Sequence, residues 1–374
     1  MKRCMALFLV LLFLPVLSGR ASALETASDS VLGEQASLYG IDDLETYLPE
    51  EANDIWGDLT VERAMQPQGL TEDLWQFLKQ EGGQVLRNAL QNVLMILLLC
   101  IIISFAQSFP MLAAHGQAAE ITGALAVAML GLTHACACIP EGVRIADALS
   151  TFTARLLPTV CAAAAASGAI SAAGAKYLLA SAALDLYGTV AKELLLPSLY
   201  LYAAAAVSGC LFQNEILISV SAFLKRVMRL MLISTALGFT AFLTITGALN
   251  GAADAAASKA AKTAISTALP VVGGILADAA ESITAGARML CAGAGIIGIL
   301  CAAAICVLPY MTFGIHYLLF QLVSEFSSSI SGKRVSGLLR CFSDLYGMLL
   351  GIVGTLAFIV FASIISLMRA TGAG

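Results

Sequence analysis

The sequence predicts an all-α protein, a polytopic transmembrane helical bundle of about seven to nine spans behind a small acidic extracytoplasmic N-terminal segment. The first observation is composition: 59% of the 374 residues are hydrophobic and only 12% are charged, whereas soluble domains are about 45–50% apolar and about 25% charged. The second is a series of charge-free intervals long enough to cross a bilayer, which takes about 20 residues. The third is an abundance of Ala and Gly, which let helices approach closely inside a membrane.

Residues 1–23 have the pattern of a signal peptide. Two basic residues precede the apolar run Met5–Leu17, and Ala21–Ala23 forms a small-x-small cleavage site, so the mature chain is expected to begin at Leu24. The apolar run is short for a membrane span. The alternative is an uncleaved first transmembrane helix, and in either case the segment that follows leaves the cytoplasm.

Residues 24–85 form the predicted acidic extracytoplasmic segment. Between Leu24 and Glu81 there are 14 acidic residues against two basic ones, Arg63 and Lys79, which gives a net charge of −12. Acidic stretches are translocated readily, because Asp and Glu contribute little to the rule that orients membrane proteins. We expect short helices in this segment, and the alternative is a solvated acidic spacer.

Residues 86–374 form the predicted membrane domain, in which charge-free intervals locate the spans. Pro140 is expected to close one span, and Pro309 is expected to divide an apolar run that is too long for one helix. Two further segments, Tyr177–Ala191 and Met311–Ser324, are weaker candidates. The stronger intervals are Leu90–Phe109, Ile121–Ile139, Leu156–Ala175, Leu194–Phe212, Leu230–Ala253, Met289–Ser324 and Leu345–Met368.

The distribution of basic residues leaves two topologies open. With the mature N-terminus outside and seven spans, the basic clusters Lys225–Arg229 and Lys333–Arg340 would lie outside, against the positive-inside rule. If Tyr177–Ala191 is an eighth span within a helical hairpin, both clusters become cytoplasmic and the C-terminus is external. The second topology is slightly favoured, although it places Lys259 and Lys262 on the wrong side.

The stretch from Asn250 to Arg288 differs from the other apolar regions, because it is rich in small residues and interrupted. Leu269–Pro270 and Gly273–Gly274 would break a helix, and the charge-free run around them is short for a span. These features predict a re-entrant element near 263–285, which is tolerated at membrane depth only when it is buried in protein or lines a water-filled cavity. A solvated amphipathic surface loop is an equally good interpretation.

Several charged residues of the membrane domain are candidate structural or path charges, because charge at membrane depth is costly and often marks an ion or substrate path. The spacings of Asp185 with Lys192 and of Arg144 with Asp147 allow pairs on one helix face. For these two pairs a structural role or an interfacial anchor is the favoured interpretation. The candidates are Asp254, Lys259, Lys262, Arg288, Asp185 and Lys192.

Catalysis, cofactor binding and nucleic-acid binding find no support. The three histidines are isolated, and the sequence contains no H-E-x-x-H, Walker A, G-x-S-x-G or dinucleotide-binding motif. Cys136-x-Cys138 lacks the second ligand pair that a structural metal site needs. The one hydrophilic segment is acidic, which disfavours a nucleic-acid partner. We therefore expect neither an enzyme nor a metal or cofactor site.

The order of these features resembles the stage III sporulation protein AE family, and the resemblance covers nearly the whole mature chain. The family likewise combines a signal peptide, an acidic external segment and a multi-span body. The motifs that carry the resemblance are Asn250–Gly251 with Asp254 and Lys259, then Leu269-Pro270-Val271-Val272-Gly273-Gly274, then Asp278–Glu281, together with Leu157-Pro158-Thr159, Ser167–Gly168, Pro197 and Pro309.

The resemblance implies a place and an assembly. It implies a multi-pass protein of the mother-cell membrane that engulfs the forespore. Its expected partners are the other stage III sporulation A-operon proteins and, through them, stage II sporulation protein Q, and a homo- or hetero-oligomer is expected. The complex would be a channel or secretion-like conduit, in which this chain has a permease-like role. The candidate pore or gating residues are Pro270, Gly273, Gly274, Asp278 and Glu281.

Two other functional classes stay open. One is a scaffold that holds the partner proteins and conducts nothing. The other is a free-standing secondary transporter, but such folds often carry paired broken helices in two repeats, and the sequence contains one convincing break.

Overall fold

The structure is a computed structural model that describes residues 49–57, 67–107, 116–268, 273–330 and 332–371. These residues form helices and short turns, and no strand occurs among them, which confirms the all-α prediction. The signal peptide and most of the acidic segment lie outside the described residues. The helices are α1 Glu50–Trp56, α2 Pro67–Gln107, α3 Gly116–Ala166, α4 Ile170–Val190, a π-helical turn Ala191–Leu195, α5 Leu196–Phe212, α6 Glu215–Ala268, α7 Gly273–Ile330 and α8 Gly332–Ala370.

Within the described residues, five helical stretches are long and apolar enough to cross a membrane. The membrane character predicted from composition is therefore supported, while the count of seven to nine spans stays a prediction. The predicted boundary between residues 85 and 86 falls inside α2. The five stretches are Glu72–Phe105, Glu120–Ala166, Ile170–Phe212, Ser282–Ser328 and Lys333–Ala370.

The prediction that proline ends two of the spans was wrong. Pro140 and Pro158 lie inside α3, and Pro309 lies inside α7. A proline removes one backbone hydrogen bond and crowds the preceding turn, but ending a helix leaves about four N–H or C=O groups without helical partners. In apolar surroundings those orphan groups cost more than the kink, so the helix continues through the proline.

Two other predicted span boundaries also need correction. The predicted span Leu156–Ala175 is divided, since α3 ends at Ala166, Gly168 has a φ of +97°, and α4 begins at Ile170. The segment Tyr177–Ala191 lies almost entirely in α4, which packs back against α3 after the turn at Gly168. The predicted spans Tyr177–Ala191 and Leu194–Phe212 are not separate helices, because the π-helical turn carries the backbone from α4 into α5 as one continuous 43-residue helical stretch.

The two most buried helices, α7 and α8, pack against each other in antiparallel orientation at the centre of the bundle. Gly295 lies against Met368, and Gly354 lies against Tyr310. Helix α3 runs parallel to α8 along the same pair, with Gly131 against Phe342. The remaining helices surround this core, so α3, α7 and α8 fix the positions of the others.

The bundle is longer than a bilayer is thick. The stretch Glu120–Ala166 of α3 has 47 residues, which at a helical rise of 1.5 Å per residue is about 70 Å, while the hydrocarbon core of a bilayer is about 30 Å thick. The helices define two ends. We call the end at which α2 finishes the α2 end, and the end at which α4 begins the α4 end.

A candidate functional site at mid-height of the bundle

Charged side chains from three elements meet about halfway between the two ends. Gly142 of α3 lies against Leu349 of α8 and Leu196 of α5, which places this part of α3 near the middle of α8. The charged residues on either side of Gly142 reach α1 and the π-helical turn. We call the set Glu51, Glu141, Arg144, Asp147 and Lys192 the polar belt.

Arg144 is the centre of the larger half of the polar belt. Its guanidinium donates to Glu141 Oε1 at 2.7 Å and to Glu51 Oε1 at 3.1 Å. Glu141 lies one helical turn before Arg144, the order that stabilises an acidic–basic pair on a helix. Glu51 lies on α1, so Arg144 ties the N-terminal acidic segment to the membrane helices.

Lys192 and Asp147 form the other half of the polar belt. Lys192 lies in the π-helical turn, and its ammonium donates to Asp147 Oδ1 on α3. Single π-helical turns add a residue to one turn of a helix and occur frequently at functional sites. Here the turn directs a lysine from the α4–α5 helix towards α3.

A pocket of about 490 Å³ lies beside the polar belt and has both charged and apolar walls. Pro140 and Pro197, which interrupt the backbone hydrogen bonding of neighbouring helices, both line it. The pocket therefore sits where α3 and the α4–α5 helix are weakest along their length. Its lining residues are Ile139, Pro140, Val143, Arg144, Asp147, Lys192, Leu196, Pro197 and Tyr200.

The electrostatics of the polar belt are those of partly solvated ion pairs. The side chains of Lys192 and Asp147 are 37% and 54% exposed, and that of Arg144 is 55% exposed. Where water reaches them, ion pairs at this exposure contribute about 0.2–1 kcal/mol to stability, because water screens the charges. Solvated pairs of this kind break and re-form at low cost, unlike a fully buried pair.

The predicted helix-face pairs were wrong in their partners. Lys192 binds Asp147 on α3 instead of Asp185, and Arg144 binds Glu141 and Glu51 instead of Asp147. Residues seven apart on a helix share a face but lie about 10.5 Å apart along its axis, too far for Asp185 to reach Lys192 directly. Asp185 is exposed on α4.

The residues predicted to form a re-entrant element do not belong to the polar belt. Pro270 falls outside the described residues, while α6 ends at Ala268 and α7 begins at Gly273, the first of the two predicted break glycines. Lys259 and Arg288 are exposed on α6 and α7. Three other candidates lie on α7: Gly274 is in its first turn, and Asp278 and Glu281 follow. The last two, Asp254 and Lys262, lie on α6. The structure does not describe the side chains of these four charged residues.

The sequence interpretation did not include two acidic members of the polar belt. Glu141 carried a local signal, since it precedes Arg144 by three residues. Glu51 carried none, because it is 93 positions away from Arg144. Only the packing of α1 on the bundle brings the two together.

Together, the all-helical fold and the five long apolar helical stretches are those of a polytopic α-helical membrane protein. The family model for stage III sporulation protein AE matches residues 53–371, which is most of the chain. The protein belongs to the stage III sporulation protein AE family. No curated protein and no solved structure matches the chain.

Proposed function

We propose that the protein is a polytopic membrane subunit of a sporulation channel or secretion-like complex that links mother cell and forespore. Family membership and the apolar helices support a sporulation membrane protein. Its proposed location is the mother-cell membrane around the forespore. Its proposed partners are the other stage III sporulation A-operon proteins and, through them, stage II sporulation protein Q, without an enzymatic activity, cofactor or nucleic acid.

Within this role, the polar belt is the proposed gate of a permease-like body. The observation that carries the proposal is the tie between Arg144 and Glu51, because it connects the acidic segment that we predict to be extracytoplasmic to the helix that also carries the Asp147–Lys192 pair. A partner that pulls on the external segment would act on Arg144. Pro140, Pro197 and the π-helical turn are the places where α3 and the α4–α5 helix bend most easily.

A non-conducting scaffold is the second candidate, and the lengths of α6 and α7 favour it. These helices have 54 and 58 residues, or about 80–87 Å each, well beyond the bilayer thickness of about 30 Å. The parts of α6 and α7 within 250–288 would then be helical extensions beyond the α4 end that bind partner proteins, and the predicted gating residues Gly273, Gly274, Asp278 and Glu281 would belong to the second of them.

Flux measurements on reconstituted vesicles test the gate. The matched pair of variants is Glu51→Gln, which removes the charge that attracts Arg144, and Asp54→Asn, which removes an exposed acid from the same short helix. Because an exposed ion pair is worth only about 0.2–1 kcal/mol, both variants should fold. We expect Glu51→Gln to change the flux of a small polar solute through vesicles that contain the chain with its A-operon partners, and Asp54→Asn to leave the flux unchanged.

Three outcomes separate the candidates. If the wild-type complex gave no more flux than protein-free vesicles, the non-conducting scaffold would be supported and the proposed gate would be ruled out. Flux that is identical in Glu51→Gln and wild type would retain the channel but place its gate elsewhere. Solute flux through the chain alone, at the level seen with its partners, would instead identify a free-standing transporter.

A further inference from the structure

Two cysteines from distant parts of the chain meet where α5 packs on α8. The sulfur atoms of Cys210 and Cys341 lie 3.6 Å apart, within hydrogen-bonding distance for thiols, although the residues are 131 positions apart in the sequence. A Cβ at Gly337, one turn before Cys341, would lie 3.2 Å from Cys210 Sγ. Because Gly337 has no side chain, α8 has a notch at this turn, in which the thiol of Cys210 packs against that of Cys341.

This arrangement places a disulfide within reach. A disulfide bond is about 2.05 Å long, so the two sulfur atoms have to approach each other by about 1.5 Å. Rotation about each Cα–Cβ bond moves the sulfur atom, and the notch at Gly337 leaves room for α5 to shift towards α8. The fold therefore holds the two thiols as neighbours without joining them.

A small polar oxidant has access to both thiols. Cys210 and Cys341 are only partly buried, whereas Cys301 and Cys306 on α7 are completely buried. Cys210 lies in the last turn of α5, and the exposed residues 213–214 form the connection to α6. The pair is thus open to reagents that enter from this end of the bundle.

A third helix converges on the same place. Asp344 lies three residues after Cys341 on α8 and pairs with Lys225 of α6, and the side chains of Lys225 and Asp344 are 29% and 23% exposed. Water therefore reaches this part of the bundle. Helix α6 is joined to α8 by the ion pair, and α5 meets α8 beside it through the two thiols.

The predicted topology places the two thiols on the cytoplasmic side. They lie towards the α2 end, to which α2 leads from the segment that we predict to be extracytoplasmic. Basic residues mark the cytoplasmic side of a membrane protein, and α6 and α8 expose four of them in this half of the bundle: Arg226, Arg229, Lys333 and Arg340. The cytosol keeps thiols reduced, and its disulfides are usually transient ones that sense the redox state.

We propose that Cys210 and Cys341 are a redox-sensitive dithiol, which hydrogen peroxide converts into a disulfide that joins α5 to α8. One thiol, as its thiolate, attacks the O–O bond and becomes a sulfenic acid, and the other oxygen leaves as water after it takes up a proton. The second thiol then attacks the sulfenic sulfur, so that the S–S bond forms and a second water leaves. The two thiols lose two electrons and the peroxide gains them, and a cellular dithiol reverses the change by thiol–disulfide exchange.

The bond would restrict the movement of α5. Helix α5 continues from the π-helical turn that carries Lys192, and Cys210 lies about 27 Å further along the same helical stretch. Oxidation would therefore fasten to α8 the far end of the helix that supplies Lys192 to the polar belt. This inference does not depend on conduction, since a scaffold and a channel subunit could both carry such a bond.

Peptide mapping of the oxidised chain tests the proposal. The wild-type chain in lipid nanodiscs is reduced, freed of reductant and treated with hydrogen peroxide, and the remaining thiols are then alkylated. Trypsin releases Cys210 within Glu193–Lys225 and Cys341 within Cys341–Arg369, each as the single cysteine of its peptide. We expect a product in which these two peptides are linked, and we expect dithiothreitol to separate them.

Thermal unfolding provides a second measurement. A disulfide that closes a long loop restricts the unfolded chain, so peroxide should raise the Tm of the wild-type protein. Cys210→Ser should abolish both the linked peptide and the increase in Tm. The matched control is Cys161→Ser, which replaces another partly buried cysteine and should retain both.

Several results would overturn the proposal. If Cys210 and Cys341 were unmodified or oxidised to sulfinic acid without a linked peptide, the two thiols would not reach each other. If the link occurred only in a covalent dimer on a non-reducing gel, it would join two copies instead of two helices. In sporulating cells that are acid-quenched and alkylated, a peroxide pulse should increase the linked fraction, and an unchanged fraction, whether none or all of the chain, would exclude a redox-sensitive pair.

Discussion

Helices α7 and α2 have nearly the same hydropathy but occupy opposite environments. The most apolar window of α7 has a mean hydropathy of 2.5 and is 83% buried, whereas that of α2 has a mean hydropathy of 2.2 and is 28% buried. Inside a membrane, apolar character does not decide which helix is central, because lipid is as apolar as a leucine side chain. Another property of the two sequences must make the difference.

That property is side-chain size. The buried part of α7 reads CAGAGIIGILCAAAIC, with Gly295 and Gly298 in close contact with neighbouring helices. The exposed part of α2 reads LMILLLCIII. Small residues let backbones approach and gain dispersion contacts over a large area, while large aliphatic side chains fill space equally well against lipid or another subunit.

The largest effect is expected from adding volume at Gly298. A Cβ at this position would lie 2.3 Å from Leu156 Cδ2, and Leu156 is fully buried. Gly298→Val should therefore lower the stability of the protein by about 1–3 kcal/mol or more, because a well-packed core has no room to relax. Thermal unfolding in detergent measures the loss as a decrease in Tm.

The matched control lies on the peripheral helix. Met95 is 68% exposed on α2, so Met95→Val should change Tm very little. Equal decreases in Tm for the two variants would mean that α2 is as tightly packed as α7. The proposed difference in packing between the central helix α7 and the peripheral helix α2 would then not exist.

The sequence predicted the class of the fold correctly for a physical reason. A chain with so few charges and such long apolar intervals is expected in a membrane, where a helix satisfies all the backbone groups of a span within the span itself. The ends of the helices were predicted less well. Pro140 and Pro309 are predicted ends, but both helices continue through them, since ending a helix would leave about four backbone groups without helical partners.

The candidate site was predictable only where its contacts are local. Glu141 and Arg144 form an i, i+3 pair that the sequence displays directly. Lys192 and Asp147 are 45 positions apart, and their contact depends on a π-helical turn that no residue pattern predicts. Sequence spacing therefore suggested Asp185 as the partner of Lys192, and only the packing of α4 on α3 corrects it.

A smaller loss of stability is expected from removing a hydrogen bond between α4 and α8, one of the two central helices. The hydroxyl of Tyr187 donates to the carbonyl oxygen of Ile352 on α8 at 2.7 Å, and Tyr187 is buried. Tyr187→Phe removes this hydrogen bond without leaving a buried side-chain donor, so we expect a loss of about 0.5–1.5 kcal/mol. The decrease in Tm should lie between those of Gly298→Val and Met95→Val.

Tyr200→Phe provides the comparison for this anchor. Tyr200 is exposed on α5, where it lines the pocket beside the polar belt. Removing a solvated hydroxyl should leave Tm nearly unchanged. If Tyr187→Phe were as neutral as Tyr200→Phe, the bond to Ile352 would contribute nothing net, and α4 would be held to α8 by apolar packing and by the bond from Lys176 to the carbonyl oxygen of Ser366.

The smallest effect is expected from alanine substitutions at two neighbouring glycines that lie on different faces of α2. A Cβ at Gly83 would meet no atom within 4 Å, whereas a Cβ at Gly82 would lie 2.6 Å from the Cε methyl of Met311 on α7. Replacing a helical glycine by alanine stabilises a helix by about 0.5–1 kcal/mol when nothing opposes it. Gly83→Ala should therefore stabilise the protein by the whole of this free energy and raise its Tm accordingly. Gly82→Ala should raise it less, because Met311 must shift, and an equal increase for both variants would show that α2 touches α7 too loosely for the buried face to matter.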